Sequence, residues 1–327
     1  MLVKSYRVDL EYATRLIVSF NRHNVEQLDL FLVVPDADMA AFASLQSPHV
    51  VLLPESMFAS HLVDDDVAGF SAGYINQEIV KLCFWEAGLA ANYLCLDSDA
   101  EFVRDFTIAD FMFDDQTPYT FMSEDAELRV EPEYFRTHWQ SREVKLRHIM
   151  QEIGLDESRL LTAHGHAVFS AIVLEAFRER FLQPRGWDYV DALAIAPYEP
   201  SWYTFWLQKD QTIPIVMREP IIKVFHNATQ QLDYVLRGVG IDDVARGYVA
   251  LVVNSNYSRS EGMPSLTDAP ETALSSFVPA DELLRAIGFR LNRILFVEKV
   301  PYRRTRTAVG AAAARVPWMR RYVDLDD

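Results

Sequence analysis

The first hundred residues switch repeatedly between two hydrophobic periods. Leu2-Val3 opens a short apolar strand that ends at Lys4-Ser5-Tyr6. Asp9 to Asn24 then places Leu10, Ala13, Ile17 and Phe20 at helical spacing. The run Leu28-Asp29-Leu30-Phe31-Leu32-Val33-Val34 predicts a buried strand closed by Pro35. Asp36 to Leu45 predicts a short helix, and Val50 to Leu53 a strand closed by Pro54. Tyr74 to Ala87 predicts an amphipathic helix, and Tyr93 to Leu96 a fourth strand running into Asp97-Ser98-Asp99. Strands alternating with helices predict an α/β fold whose mostly parallel sheet is covered on both faces. Ligands of such sheets sit beyond the carboxyl ends of the strands. Ser5, Tyr6, Pro35, Glu55 and Asp97 should therefore line one rim.

Farther along, Arg142 to Ile153 predicts a charged helix and Ala167 to Phe181 an amphipathic one. Aromatic residues crowd between Trp187 and Trp206. Ile213 to Val216 predicts a last strand, leading to Lys223-Val224-Phe225-His226. Helical patterns and a basic tail follow, with no internal repeat. The expected organisation is one α/β domain over 1–230 and a mainly helical extension over 231–327.

Composition narrows the class. With 50% hydrophobic and 24% charged residues, the chain is neither disordered nor a disulfide scaffold. Cys83 and Cys95 fit no zinc spacing. No apolar h-region opens the chain, and no apolar run reaches the ~20 residues of a membrane span. A soluble, cytoplasmic protein is expected. The net charge of -16 argues against a nucleic-acid partner. Between Arg285 and Arg321, however, ten Arg and Lys face one acid, Glu298. That tail predicts either peripheral contact with an anionic membrane or a clasp on the acidic body.

Three Asp-x-Asp triplets with a non-acidic central residue occur. Asp36-Ala37-Asp38 follows Pro35 and is expected to cap a helix, and Asp324-Leu325-Asp326 lies in the polar tail. Asp97-Ser98-Asp99 ends an apolar strand. Carboxylates at i and i+2 of an extended segment point the same way, so this pair can hold Mn²⁺ or Mg²⁺ and through it diphosphate oxygens. A solvated strand-end turn is the plain alternative. Gln77 and Lys81 lie four apart on one helical face just upstream. There Lys81 can neutralise diphosphate and Gln77 can bond a ribose or sugar, or both simply face solvent. Tyr6 can stack on a nucleobase at the rim of the first strand. His164-Gly165-His166 lacks further ligands for zinc and is expected in a loop near the acceptor. Glu199 sits among aromatic residues. It is a candidate general base if a reaction inverts configuration, or a group that positions a sugar hydroxyl if the reaction retains it. Trp202, Tyr203 and Trp206 form either a sugar-stacking platform or core.

The stretch Gly73-Tyr74-Ile75-Asn76-Gln77-Glu78-Ile79-Val80-Lys81-Leu82, with Asn92-Tyr93-Leu94-Cys95-Leu96-Asp97-Ser98-Asp99, resembles glycosyltransferases of the GT-A type. More narrowly, it is similar to a bacterial family found among polysaccharide and lipopolysaccharide synthesis proteins. Lys4-Ser5-Tyr6-x-x-Asp9, Phe106, Thr117-Pro118-Tyr119 and the Glu199-x-x-x-Tyr203 pair carry the same resemblance. The likeness spans roughly residues 1 to 230 and departs at Tyr198 and in the aromatic run beyond Glu199. It implies a GT-A-like fold, a nucleotide-sugar donor, a saccharide or lipid-linked acceptor, and action at the cytoplasmic face. It further implies donor contacts from Lys4, Ser5, Tyr6, Gln77, Lys81, Asp97 and Lys223, and a Mn²⁺ or Mg²⁺ held by Asp97, Asp99 and His226. Two rival expectations stand beside it. One is a nucleotidyltransferase or sugar-phosphate enzyme, for which a Gly-rich phosphate loop is missing near the N-terminus. The other is a non-catalytic scaffold in a polysaccharide assembly complex.

Overall fold

The computed structural model describes residues 1–123, 140–156, 160–163, 166–225 and 239–254 of the 327-residue chain. A five-stranded sheet lies at its centre. It is built from β1 (Leu2–Lys4), β2 (Leu30–Val34), β3 (Val50–Pro54), β4 (Asn92–Leu96) and a strand at Val168–Ser170. The first four run parallel, with Leu2 opposite both Phe31 and Cys95, and Leu32 opposite Leu52. Nearly continuous apolar runs form these strands because both faces of a parallel sheet are buried. All three residues of β1 are buried, as are the last four of β4.

Crossovers come from helices whose apolar residues recur at helical spacing. Helix α1 (Leu10–His23) buries Ala13, Leu16, Ile17 and Phe20. Helix α2 (Ala72–Cys83) starts at Ser71, whose side chain accepts a hydrogen bond from the Tyr74 N–H. Between β2 and β3 the predicted helix is broken into a 3-10 turn, one short α-helix at Met39–Phe42 and a second 3-10 turn.

Two smaller sheets extend the first. β5 (Ala100–Phe102) follows the Asp97-Ser98-Asp99 turn, and β6 (Tyr119–Phe121) follows the Thr117-Pro118 segment. Helix α3 (Gln140–Ile153) precedes β7 (Val168–Ser170), which closes the central sheet in the order β3-β2-β1-β4-β7. The Ala167–Phe181 segment is thus not one helix, contrary to its pattern. Tyr93 pairs with Phe169 and Leu94 with Val168 in antiparallel register, and helix α4 (Ala171–Phe177) begins only beyond Ser170. The short run Val168-Phe169-Ser170 satisfies either period, and the bare edge of β4 decides for strand.

Helix α5 (Tyr189–Ile195) and helix α6 (Glu199–Asp210) follow. The strand expected at Ile213–Val216 lies later, as β8 (Val216–Arg218), parallel to β6. Pro214 has no N–H for a ladder. β9 (Ile222–Phe225), helix α7 (Ile241–Gly247) and β10 (Ala250–Val253) complete the described chain. β10 is a strand in a stretch whose pattern suggested helix. It lies between β5 and β9, with Leu251 opposite Glu101.

Residues 1–223 and 247–252 form one compact unit, and 224–246 with 253–327 a second. In the second unit the Asn254 N–H donates to Phe225 O at 3.1 Å. The basic segment 285–321 lies outside the described residues. Among those described, no helix is long and apolar enough to cross a membrane.

Helix α6 is the hub of the core of the first unit. Every residue from Glu199 to Leu207 is buried, and α2, α3 and α4 pack on it. A helix apolar all round must be central. The expected platform of Trp202, Tyr203 and Trp206 is therefore core, which corrects the sugar-stacking alternative. Trp202 packs against Phe177 and donates its indole N–H to Ala196 O at 2.9 Å. Trp206 packs on Phe181, and the Tyr203 hydroxyl accepts the Ser170 N–H at 3.0 Å.

Candidate active site

β1 and β4 are neighbours, yet the chain leaves them toward opposite sides of the sheet: β2 and β3 lie beyond β1, and β7 beyond β4. Diverging connections open a crevice at the carboxyl ends of the two strands, where ligands of such sheets bind. Lys4-Ser5-Tyr6 leaves one side of this crevice and Asp97-Ser98-Asp99 the other.

On the β1 side, the buried Lys4 ammonium lies 3.1 Å from a Glu55 carboxylate oxygen and donates to Ser5 O at 3.2 Å. Burial pulls its pKa down, and the facing Glu55 only partly restores it. Ser5 is fully buried, its N–H bonded to Val33 O, and its Oγ has no hydrogen-bond partner among the described residues. Tyr6 is exposed at the strand end. Contrary to expectation, Asp36 and Asp38 do not cap their own helix; they tie the strand-end loops together. Asp36 accepts from the Ser56 N–H and hydroxyl at 3.0 and 2.7 Å, and Asp38 from the Arg7 N–H at 2.8 Å. These bonds hold the Asp36 carboxyl below its usual range.

On the β4 side, a single cation gathers three carboxylates. The Lys81 ammonium lies 2.9 Å from Asp97 Oδ1, 2.9 Å from Glu199 Oε1 and 3.5 Å from Glu78 Oε2. Gln77 Nε2 also donates to Asp97 Oδ1, at 3.1 Å. Gln77 and Lys81 thus use their i, i+4 relation to converge on one carboxylate. The side chains of Glu78, Lys81 and Glu199 are only 4%, 4% and 5% exposed, whereas that of Asp97 is 34% exposed. Asp97 is the member of the cluster that meets solvent. Helix α6 supplies Glu199 in its first turn, where a carboxylate also suits the positive end of the helix dipole.

The electrostatics follow from this arrangement. Burial alone lowers a lysine pKa, but Asp97, Glu199 and Glu78 together outweigh it and hold Lys81 well above the usual value. Burial alone raises a carboxyl pKa, but Lys81, then His166 and Gln77, bring Asp97 below its usual range. Glu78 goes the other way. Burial, with the adjacent Glu199 charge and a hydrogen bond to Glu199, pushes it well above the usual range and favours its protonated form. The pair Glu78/Glu199 thus shares one hydrogen bond and one dominant cation.

Glu78 was not among the residues singled out by sequence. The only signal was local: Glu78 precedes Lys81 by three residues, which puts the two on one helical face. His166, expected in a loop near an acceptor, is buried in a loop segment within electrostatic reach of Asp97. Lys223 is buried on β9, in the sheet that includes β5. Asp99 is half-buried in the turn between β4 and β5. His226, His164 and Gly165 lie outside the described residues. Among the described residues, no three His, Cys, Asp or Glu side chains gather to hold a metal ion. Asp97 and Asp99 offer two carboxylates at a strand end, a donor type that suits a hard cation completed by water and phosphate oxygens.

The chain belongs to the Family of unknown function (DUF6492), which matches residues 3–226. No curated protein matches its sequence. Among the solved structures similar to this chain are the following three. Mouse xyloside xylosyltransferase 1 in its apo form is 11% identical, with a TM-score of 0.43 over 78% of this chain and 97% of that one. The galactosyltransferase LgtC, solved with donor and acceptor sugar analogues, is 14% identical, with a TM-score of 0.43 over 77% of this chain and 85% of that one. The bifunctional glycosyltransferase WbbM in its apo form is 10% identical, with a TM-score of 0.46 over 86% of this chain and 49% of that one.

Proposed function

We propose that this protein is a metal-dependent glycosyltransferase that takes a nucleotide-sugar donor and a saccharide or lipid-linked acceptor in bacterial surface polysaccharide synthesis. The observation that carries the reading is Asp97: a carboxylate fixed by Gln77 and Lys81, kept ionised, and presented to solvent beside the β1–β4 crevice. Ser5 adds support. Its buried, unpartnered Oγ at the end of β1 is the kind of orphan that a bound ligand satisfies. The sequence resemblance around Gln77 to Asp99 points the same way.

In this reading Asp97 and Asp99 hold Mn²⁺ or Mg²⁺, with His226 as a third ligand, and the cation supplies positive charge against the donor diphosphate. Tyr6 faces the nucleobase, and Lys4 and Lys223 add positive charge at the phosphates. Lys81 does not reach the diphosphate, because three carboxylates already surround it. Its work is to orient Asp97. Glu199 is then a positioning residue acting through Lys81, and Glu78 holds Glu199 in place. This departs from the general-base role weighed for Glu199, since its oxygen is engaged by Lys81 in a buried cluster.

The test is a thermal-shift screen of nucleoside diphosphates with Mn²⁺ and with chelator. A stabilisation by one base class that requires Mn²⁺ is the expected outcome. No shift with any nucleotide, with or without Mn²⁺, would refute the donor assignment. For the basic segment 285–321 we propose docking on anionic membranes, where a lipid-linked acceptor resides. Full-length protein should float with anionic vesicles at low salt and be released at high salt. A chain ending at Ala280 should stay at the bottom of the gradient. Flotation of both forms, or of neither, would rule docking through this segment out.

A further inference from the structure

Trp202, Tyr203 and Trp206 are core, but another aromatic pair stands on the ligand side of the sheet. Helix α2 runs antiparallel to β4. The Tyr93 hydroxyl, near the amino end of the strand, donates to Lys81 O at 2.8 Å, and Gln77 reaches Asp97 just past its carboxyl end. Tyr74 precedes Gln77 by three residues. It therefore stands about 4.5 Å farther out along the helix, beyond the level of Asp97.

Tyr74 is 37% exposed, but its polar end is turned inward. The hydroxyl donates to Pro197 O at 3.2 Å, and burial, with Glu78 and Glu199 nearby, raises its pKa. What Tyr74 offers a ligand is thus its ring. Phe70 lies against that ring at 5.5 Å between centroids, the planes 30° apart. A tight turn sets Phe70: Val67 and Phe70 exchange N–H to carbonyl bonds at 2.9 Å each, with Ala68 and Gly69 at φ 50° and 84°. Both central residues of such a turn are left-handed, a conformation costly for alanine. The segment before the turn is tied to α2, because the Asn76 side chain bonds both the N–H and the carbonyl of Val63 at 2.9 Å. Lys145 Nζ lies 4.6 Å from the Phe70 centroid. Phe70 is half-buried and backs the pair, and Tyr74 is its exposed member. A ring fixed in this way loses little freedom when a ligand lands on it.

The surroundings select the ligand. A pyranose has apolar C–H faces and a rim of hydroxyls, so it needs a flat apolar surface with hydrogen-bonding groups at its edge. Gln77 gives one N–H to Asp97, and an amide carries a second N–H and a carbonyl. The Asp97 side chain is 34% exposed. We infer that Tyr74, backed by Phe70, is the stacking surface of a subsite for a neutral pyranose, with Gln77 at the hydroxyl rim. That this sugar is the acceptor rests on the glycosyltransferase reading; the stacking site does not. Covering one ring face is worth about tenfold in affinity.

The experiment is an NMR titration of the full chain, in chelator, with methyl β-glucoside, methyl β-galactoside and methyl α-mannoside, and with uridine and guanosine as flat-ring controls. At least one pyranoside should bind, with saturation transferred chiefly to the C–H protons of one sugar face. Tyr74→Leu keeps apolar bulk without a flat ring and should weaken that pyranoside by about tenfold, whereas Tyr74→Phe should stay within about threefold of the parent. Both variants lose the bond to Pro197 O, so any loosening is common to them and their difference isolates the ring. No pyranoside binding overturns the inference. So does an equal loss in the two variants, no loss in Tyr74→Leu, or Tyr74-dependent binding of the nucleosides in place of the sugars. Ring-dependent pyranoside binding without any nucleotide shift in the thermal screen keeps the subsite and removes the glycosyltransferase reading. A Mn²⁺-dependent nucleotide shift without ring-dependent pyranoside binding does the reverse.

Discussion

Lys81→Met should destabilise the protein by about 3–5 kcal/mol at neutral pH, the cost of leaving buried charges unpaired. Methionine fills the space of the lysine stem, so the loss measures charge rather than a cavity. Glu199 and Glu78 would face each other without a cation, and Asp97, which is partly in water, would contribute less. The pH dependence gives the effect a sign. In the parent protein Lys81 has a raised pKa, so its contribution is complete below the ordinary lysine value and is lost only as pH climbs through the raised one. Asp97 has a lowered pKa, so its contribution holds above the ordinary carboxylate range and is lost as pH falls through the lowered value. The cluster is therefore intact across neutral pH. In Lys81→Met the carboxylates can regain stability only by binding protons, so the gap to the parent should narrow as pH falls from 7 toward 5. Adding Glu78→Gln and Glu199→Gln should recover most of the loss, since neutral groups of similar volume replace the buried carboxyl pair. Urea unfolding at pH 7 and pH 5 measures all of this. A Lys81→Met protein within about 1 kcal/mol of the parent at pH 7 would show that the cluster does not carry buried ionic charge.

Glu78→Gln separates the two glutamates. The raised pKa of Glu78 means that the folded state holds its proton more tightly than the unfolded state does. That contribution favours folding below the ordinary carboxylate range and is eroded as pH rises above it. Glutamine keeps the donor and does not titrate, so the variant should gain on the parent as pH rises from 4 to 7.

Much of the α/β fold was legible because parallel strands buried on both faces leave continuous apolar runs, as at Leu30–Val34 and Asn92–Leu96. The rim followed from the same runs: the ends of the parallel strands put Ser5, Glu55 and Asp97 at one edge of the sheet. Val168-Phe169-Ser170 was not legible as a strand, because a three-residue run suits either period and only the open edge of β4 decides. The aromatic residues of α6 were ambiguous in a similar way. Their spacing fits a platform as well as a core, and the deciding fact is that the helix is covered on all sides.

The candidate site was half legible. Gln77, Lys81 and Asp97 follow from helix spacing and a strand end. The partnership of Lys81 with Glu199 joins residues 118 positions apart, and no local pattern encodes it. Glu78 was passed over because a glutamate beside a lysine on a helix ordinarily faces water. Here the fold buries that face against α6, and a common surface pair becomes part of a buried cluster with Glu199 and Asp97.

Asp97→Asn should abolish Mn²⁺-dependent binding of the nucleoside diphosphate while leaving the fold standing. Asparagine preserves the size of the side chain and an oxygen able to accept from Gln77 and Lys81, and Lys81 keeps Glu199 as a buried counter-charge. What disappears is the anionic ligand that the cation needs. The loss should exceed the roughly 10–100-fold that removal of a ligand's hydrogen-bond partner costs. Gln77→Met is the internal comparison, because it removes one donor to Asp97 and leaves the carboxylate; its loss should fall within that range. Asp99→Ala should match Asp97→Asn if both carboxylates bind the ion. Calorimetry with a nucleoside diphosphate at fixed Mn²⁺, paired with melting temperatures, separates ligation from folding. Unchanged affinity in Asp97→Asn would place the metal elsewhere. A loss in Gln77→Met equal to that in Asp97→Asn would make Asp97 a member of a hydrogen-bond network and not a ligand. The expected order, Asp97→Asn and Asp99→Ala far weaker than Gln77→Met, follows from a charge that touches the ion being worth more than a dipole that aims it.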